Sequence, residues 1–115
     1  MARTPQDIFR HHGEALAAGD VDEIMADYTD DSVLLTPRGV SSGREEIRRV
    51  FVELLAELPD AKWDVPTAVF AGDVLLIEWT ADASTVQVRD GIDTFVFADD
   101  SVRAQTVRYT PRTVG

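Results

Sequence analysis

The sequence predicts an α+β fold, in which helices come first in the chain and pack on one face of a curved antiparallel sheet. Apolar residues recur at helical spacing in three segments before residue 61, and at a spacing of two residues after it. Helices followed by a run of consecutive strands are typical of α+β rather than α/β proteins. The 115 residues, 44% of them hydrophobic, suit a single domain over 1–115 with its core at about 5–110.

The first helix is predicted to begin just after Thr4, which can cap it, with Pro5 at its first position. Gly19 ends this helix, and a second one follows at once, with Asp20 and Glu23 at the spacing of a capping box. The stripe predicted to be buried on the first helix consists of Ile8, Phe9, His12, Ala15 and Leu16. The corresponding stripe on the second consists of Val21, Ile24, Met25 and Tyr28.

A short strand over 32–37 and a loop over 38–43 precede the longest helix, which Pro59 and Asp60 close. Ser42 and Glu45 have the spacing of a second capping box. The apolar stripe of this helix consists of Ile47, Val50, Phe51, Leu54 and Leu58. Its arginines, Arg44, Arg48 and Arg49, alternate with glutamates, which indicates a solvated face with pairs four residues apart.

Five strands are predicted after the third helix. The first, over 61–70, contains Pro66, which indicates an edge position or a bulge. A hairpin turn at 71–73 leads to the second strand, and the third strand is predicted to end at a turn at Asp90-Gly91. The fourth strand ends at a turn at Asp99-Asp100, the fifth follows, and the tail over 111–115 is predicted to be loose. The side chains expected to share the inner face are Trp63, Val65, Thr67 and Val69, then Leu75, Ile77, Trp79 and Ala81, and finally Arg103, Gln105, Val107 and Tyr109.

Asp93 falls on the same face of its strand as Phe95 and Phe97, because successive side chains of a strand point to opposite faces. A carboxylate on an aromatic face costs free energy unless it is paired, hydrated or protonated. Asp93 is therefore either an acid or base in a pocket, with its pKa raised by desolvation, or a structural carboxylate that pairs with Arg103 or a backbone amide.

Composition excludes several functions. The chain has no cysteine, so it has no disulfide and no thiolate metal site, and its net charge of −10 argues against nucleic acid and anionic membranes as partners. No apolar run approaches the roughly 20 residues of a membrane span, and no secretory signal is evident. We expect a soluble, cytoplasmic protein. His11 and His12 point about 100° apart on a helix, so no metal site is predicted.

Three stretches resemble the nuclear transport factor 2-like superfamily, and within it the SnoaL-like proteins and ketosteroid isomerases. They are "LAAGDVDEIMADYTDDSVLLTP", "GREEIRRVFVELL" and "DTFVFADDSVRAQTV", and the resemblance extends over about 5–110. It implies a cone-shaped, cystatin-like sheet around the N-terminal helices, with a deep apolar pocket at one end. It also implies a homodimer formed through the outer face of the sheet.

The resemblance assigns roles to three positions. Asp93 falls where the ketosteroid isomerases keep a protonated aspartic acid that donates to the substrate oxygen, a case that illustrates how an apolar site holds a carboxyl group neutral. His12 falls where they carry the tyrosine of the oxyanion hole. Thr36 falls where they carry the aspartate that moves the proton, and threonine cannot be that base. Authentic ketosteroid isomerase activity is therefore not expected.

Two hypotheses follow. In the first, the protein is an enzyme that moves protons on a compact apolar carbonyl compound, without a cofactor, as an isomerase, cyclase or dehydratase. Asp93 would orient His12 as the general base, and the substrate would contact Tyr28, Trp63, Trp79, Phe95, Gln105, Val107 and Tyr109. In the second, the protein is a non-catalytic module for ligand binding or dimerisation. The outer sheet face of that module would consist of Glu78, Thr80, Thr94, Val96, Ala104, Thr106 and Arg108.

Overall fold

The protein is described here by a computed structural model that covers residues 3–114. In these residues the chain forms three helices and seven strands. In chain order they are α1 (Pro5–Ala18), α2 (Val21–Met25), β1 (Tyr28–Thr36), β2 (Gly39–Ser42), α3 (Gly43–Glu57), β3 (Lys62–Ala71), β4 (Val74–Asp82), β5 (Val86–Ala98), β6 (Ser101–Arg108) and β7 (Pro111–Thr113).

The strands form one sheet in the order β2-β1-β6-β5-β4-β3, and β7 pairs with β5. All pairs are antiparallel except β1 with β6. The helices precede most of the strands and bury side chains in a core shared with the inner face of the sheet. The predicted α+β class, with a curved sheet packed against N-terminal helices, is confirmed.

The first helix begins as predicted, and the second forms only one half of its predicted capping box, because the Asp20 backbone N–H donates to the Ala15 oxygen and not to Glu23. Thr4 accepts the Asp7 backbone N–H while the Asp7 carboxylate accepts the Thr4 backbone N–H, and Gly19 ends α1 with a left-handed φ of 66°. Asp20 caps α2 by accepting the backbone N–H of Glu23. Tyr28 is buried as expected, but it begins β1 rather than extending α2, which ends at Met25.

The start of α3 differs from the prediction. Residues 39–42 form β2, which pairs with β1 between Val33↔Ser42 and Thr36↔Gly39, where a loop was expected. The side chain of Ser42 makes no capping hydrogen bond. The backbone N–H of Ser42 donates a hydrogen bond of 2.8 Å to the carboxylate of Glu46 rather than to that of Glu45. Pairing in a hairpin gives Ser42 an extended backbone, and the carboxylate that reaches it lies one residue further along the helix.

Arg44 is exposed, as predicted, but it pairs with backbone oxygens rather than with a glutamate four residues away. Its guanidinium donates 2.8 Å to each of the backbone oxygens of Met25 and Tyr28, so it ties α3 to the end of α2 and the start of β1. Arg49 pairs with Glu45 four residues earlier, as predicted, whereas Arg48 pairs with Asp22 of α2.

The predicted turn at Asp90-Gly91 is wrong, because β5 continues from Val86 to Ala98, with only a shift of its register against β4 between Val88 and Gly91. Gly91 lies opposite Trp79, and a Cβ at Gly91 would stand 2.3 Å from atoms of the indole ring. The glycine thus makes room for a large neighbouring side chain inside a strand, where the sequence indicated a reversal. The turn at Asp99-Asp100 is confirmed, with φ values of 52° and 65°.

Bulges shift the inner face of two strands. The register of β3 against β4 changes between Asp64 and Thr67, on the edge strand that contains Pro66, and Val69 is left exposed instead of facing inward. The register of β5 against β6 changes at Val96/Phe97, and Arg103 is exposed while Gln105 stays inside.

The tail is also partly ordered. Residues 111–113 form β7 against Val86–Val88, so the prediction of a loose tail is wrong for them, and Gly115 lies outside the described residues. No helix in the described range is both long enough and apolar enough to cross a membrane.

Candidate functional site

Asp93 lies in a buried cluster of polar side chains that we call the Asp93 cluster: Tyr28, Trp79, Asp93 and Gln105. The indole N–H of Trp79 donates 2.9 Å to Asp93 Oδ1, and the amide of Gln105 donates 3.0 Å to Asp93 Oδ2. The hydroxyl of Tyr28 donates to Gln105 Oε1. Strands β1, β4, β5 and β6 therefore each contribute one member, held on the inner face of the sheet.

Burial raises the pKa of Asp93 from 3.8 to about 7, because the carboxylate loses its hydration without gaining a cationic partner. The hydrogen bonds from Trp79 and Gln105 oppose this rise in part. The side chain retains 6% of its exposure. At neutral pH Asp93 is thus close to half protonated, and a protonated carboxyl can donate a hydrogen bond as well as accept one.

His12 is enclosed by aromatic rings. Its ring centroid lies 5.3 Å from that of Phe95, 5.8 Å from Phe51 and 6.2 Å from Tyr28, and its Nδ1 atom has no hydrogen-bond partner in the described chain. Burial lowers its pKa from 6.5 to about 4, so the imidazole is neutral at physiological pH. No hydrogen bond within residues 3–114 joins His12 to Asp93, and the predicted pairing of these two residues is not formed.

A second buried carboxylate, which the sequence analysis missed, pairs with the neighbouring histidine. Asp27 is fully buried, and it accepts hydrogen bonds of 2.7 Å from His11 Nδ1 and 2.7 Å from the guanidinium of Arg3. The bond to Asp27 raises the pKa of His11. Because both oxygens of Asp27 are bonded, one to His11 and the other to Arg3, we assign it a structural role in joining α1 to the start of β1.

The larger cavity lies between α3 and the β1–β2 hairpin, at the end of β6. Its volume is about 630 Å³, and we call it the main cavity. Its apolar wall includes Leu34, Val50, Phe51, Leu54 and Val107, and its polar lining includes Thr36, Arg38, Ser41, Glu46, Arg49, Glu53, Glu57 and Tyr109. Cavities of roughly 300–1,000 Å³ are typical of small-molecule sites.

Two of the predicted site residues, Val107 and Tyr109, line the main cavity. Trp63 lines a smaller cavity of about 260 Å³ between the ends of α1 and α3. The remaining predicted residues line neither cavity: Asp93, His12, Tyr28, Trp79, Phe95 and Gln105. Asp93 nevertheless lies close to the main cavity, because it is directly opposite Val107 in the pairing of β5 with β6.

Glu57 is a lining residue that the sequence analysis did not single out. Its Oε1 atom accepts a hydrogen bond of 2.6 Å from the hydroxyl of Tyr109. Burial and the Glu57 carboxylate raise the pKa of Tyr109 well above its usual value, so the phenol keeps its proton. A pattern was available in the sequence: Glu46, Val50, Glu53 and Glu57 are spaced by four, three and four residues, which places them on one helical face beside the apolar stripe.

The amino-acid sequence matches a known family. The match is to the SnoaL-like domain and covers residues 9–105. The chain belongs to this family. Among proteins with curated descriptions, none matches the chain.

Several solved structures share the fold of this SnoaL-like domain. A SnoaL-like protein from Burkholderia thailandensis is 22% identical, with a TM-score of 0.74 over 92% of this chain and 93% of that one. IdmH of Streptomyces antibioticus, a proposed polyketide cyclase, is 18% identical, with a TM-score of 0.75 over 93% and 92%. A proposed ketosteroid isomerase from Kribbella flavida is 16% identical, with a TM-score of 0.77 over 92% and 77%. The predicted resemblance to the SnoaL-like proteins is confirmed by the family match, and the fold is shared with a proposed ketosteroid isomerase and a proposed polyketide cyclase.

In the part of the SnoaL-like domain that the structure describes, no group of three or more histidine, aspartate or glutamate side chains could hold a metal ion. The site offers a buried carboxyl whose pKa is raised, a tyrosine paired with a glutamate, and an apolar wall.

Proposed function

We propose that this SnoaL-like domain is a small-molecule enzyme that transfers a proton on a compact, mostly apolar carbonyl compound bound in the main cavity. The observation that carries the proposal is Asp93, a buried carboxyl with a pKa near 7 and no cationic partner, one strand away from the wall of that cavity. A carboxyl that is neutral at working pH can donate to a carbonyl oxygen as negative charge develops on it.

The chemistry of the lining favours a neutral ligand. One side of the main cavity is apolar, and its charged lining holds three glutamates against two arginines. The net charge of −10 also disfavours anionic substrates. A flat ketone of modest size fits these conditions, as does a phenol that mimics its enol, and isomerisation, cyclisation and dehydration can each begin from enolisation of the ketone.

Asp93 and His12 have different places in this proposal. The ring of Tyr109, which lines the main cavity, lies 5.4 Å from that of Trp79, whose indole N–H donates to Asp93, so the Asp93 cluster lies directly behind a ring of the cavity wall. His12 is packed among aromatic rings with a pKa of about 4, which makes it a weak base at neutral pH. We assign His12 to the core and not to the reaction.

A thermal-shift screen tests the proposal. Flat phenols and ketones that mimic an enolate are added to the wild type and to Asp93→Asn at pH 6 and pH 8. A ligand present at 100 times its dissociation constant stabilises the folded state by about 2.7 kcal/mol, which is a readily measured shift. Phenols that stabilise the wild type and not the variant support the proposal. Equal shifts for both proteins, or none for any compound, argue against it.

The alternative is a non-catalytic module, and the internal bonding of the Asp93 cluster favours it. The Gln105 amide, which could have held a ligand carbonyl, is used by Tyr28 and Asp93. Under this alternative, Asp93→Asn would bind ligands as the wild type does, and no α-proton of a bound ketone would exchange with solvent.

We also propose that the protein forms a homodimer through the outer face of the sheet. This face exposes Val69, Val74, Leu76, Ile92 and Val96, each between 37% and 57% accessible. Glu78 and Arg108 flank Ile92 on the neighbouring strands, so a two-fold axis near Ile92 brings opposite charges together. Light scattering should give a dimer for the wild type and a monomer for Leu76→Asp, and a monomeric wild type would contradict the proposal.

A further inference from the structure

We infer that Glu57 accepts the acidic hydrogen of a ligand in the main cavity and that Tyr109 positions its carboxylate for that purpose. This inference rests on the proposed function, and it supplies the base that Thr36 cannot provide. Three carboxylates line the main cavity: those of Glu46, Glu53 and Glu57. Their contacts distinguish them.

Glu46 and Glu53 differ from Glu57 in being exposed. Glu46 accepts the backbone N–H of Ser42 at 2.8 Å, so it holds the start of α3. Glu53 is 71% accessible and lies 3.9 Å from the guanidinium of Arg38. Within residues 3–114, no side chain donates a hydrogen bond to either carboxylate.

Glu57 is held in place by another residue that lines the main cavity. Its Oε1 atom accepts the hydroxyl hydrogen of Tyr109 at 2.6 Å, and Tyr109 also lines the cavity. Its Oε2 atom has no hydrogen-bond donor among residues 3–114, so it remains able to accept one from a ligand. The side chain is partly buried, and Leu54 and Val107 line the same cavity.

The position of Glu57 is not explained by helix stability. It is the last residue of α3, and the last turn of this helix contains no basic residue. A carboxylate there faces the negative end of the helix dipole, which is unfavourable. Helix stability alone therefore does not account for a carboxylate at this position, whereas a role in the cavity does.

Proton removal by Glu57 needs no co-reactant. Glu57 removes a proton from the carbon next to a ligand carbonyl: the C–H bond breaks, an O–H bond forms on Glu57, and the electron pair moves to the carbonyl oxygen. The hydroxyl of Thr36 accepts the Arg38 backbone N–H at 3.1 Å, which leaves its hydrogen to donate to that oxygen. In a ligand with a β,γ double bond, the enolate is conjugated with that bond, and return of the proton from Glu57 to the γ-carbon re-forms the carbonyl and completes an isomerisation.

Binding of phenol and of anisole tests the assignment, since the two probes differ in one acidic hydrogen. Their dissociation constants are measured by NMR titration of the wild type, Glu57→Gln, Tyr109→Phe and the control Glu14→Gln, which changes an exposed glutamate of α1 that lines neither cavity. A hydrogen bond to a charged acceptor exceeds one to a neutral acceptor by about tenfold in affinity. We therefore expect the preference for phenol to fall about tenfold in Glu57→Gln, to fall less in Tyr109→Phe, and to persist in Glu14→Gln.

An unchanged preference in Glu57→Gln, or no binding of either probe to the wild type at millimolar concentration, overturns the assignment. Exchange of the α-protons of cyclohexanone in D2O separates it from the proposed function. Exchange that the wild type accelerates and Glu57→Gln does not supports both, and exchange that persists in Glu57→Gln overturns the assignment alone. If the phenol preference depends on Glu57 but no protein accelerates exchange, Glu57 stands as the acceptor and the proposed enzyme activity fails.

Discussion

Replacement of Asp93 by asparagine should remove a pH dependence from the stability of the protein. In the wild type, the folded state holds the Asp93 proton with a pKa of about 7, whereas 3.8 is the ordinary value expected in the unfolded chain. As the pH rises from about 4 to about 7, the unfolded chain loses this proton and the folded protein does not, so folding becomes less favourable. The stabilisation from protonated Asp93 is complete below pH 3.8, the pKa in the unfolded chain, and it is lost as the pH rises through about 7, the pKa in the folded protein.

The change in the free energy of unfolding follows from the difference between the folded and unfolded pKa of Asp93. A difference between 3.8 and about 7 corresponds to about 4 kcal/mol over the whole range, at 1.36 kcal/mol per pKa unit. Between pH 5 and pH 8, where the protein is more easily studied, the loss is about 2.5 kcal/mol. Asparagine resembles the protonated acid: its oxygen can accept from Trp79, and its amide can donate to Gln105 once that amide is turned over.

Urea denaturation of both proteins at pH 5 and pH 8 measures the effect. All other titrating groups are common to the two proteins, so their contribution cancels in the difference between the free energies of unfolding. That difference should shift in favour of Asp93→Asn by about 2.5 kcal/mol between pH 5 and pH 8. A difference that stays constant across this range would refute the reasoning, since Asp93 would then titrate as an ordinary exposed carboxyl.

Two further substitutions test the core. Since burial holds the pKa of His12 at about 4 rather than 6.5, the wild type should lose about 2.5 kcal/mol relative to His12→Leu when the pH falls from 7 to 4.5, as measured by urea denaturation. Equal pH dependence of the two proteins would contradict this. Gly91→Ala should cost about 1–3 kcal/mol and change the fluorescence of Trp79, because the added Cβ would stand 2.3 Å from the indole ring. The control Gly13→Ala meets nothing within 4 Å, and in the middle of α1 it should stabilise the protein by about 0.5–1 kcal/mol, so equal losses in both variants would show that the indole contact is not the cause.

The alternation of side chains along a strand made much of the fold predictable. The inner face of β4, with Leu75, Ile77 and Trp79, and the placement of Asp93 among phenylalanines on β5 both agree with the structure. These features depend on residues one or two positions apart, so a period of two in the sequence is sufficient to predict them. Capping of α1 and α2 is similarly local, because donor and acceptor are three residues apart.

The wrong predictions lie where contacts between residues far apart in the sequence determine the local structure. Asp90-Gly91 has the composition of a turn, but the indole of Trp79 occupies the space beside Gly91 and the strand continues. The bulge that exposes Arg103 appears only when β5 and β6 are paired, and the order of residues 111–113 depends on pairing with Val86–Val88.

The sequence by itself determined the class of fold, the inner faces of its central strands and the presence of one carboxyl on an aromatic face, because each follows from local periodicity. The tertiary structure decided what those residues do. In the folded protein Asp93 bonds to Trp79 and not to His12, and Asp27 bonds to His11. Glu57 of α3 bonds to Tyr109, which lies 52 residues further along the chain. Such contacts depend on how helices pack against the sheet, and no short-range pattern in the sequence specifies that packing.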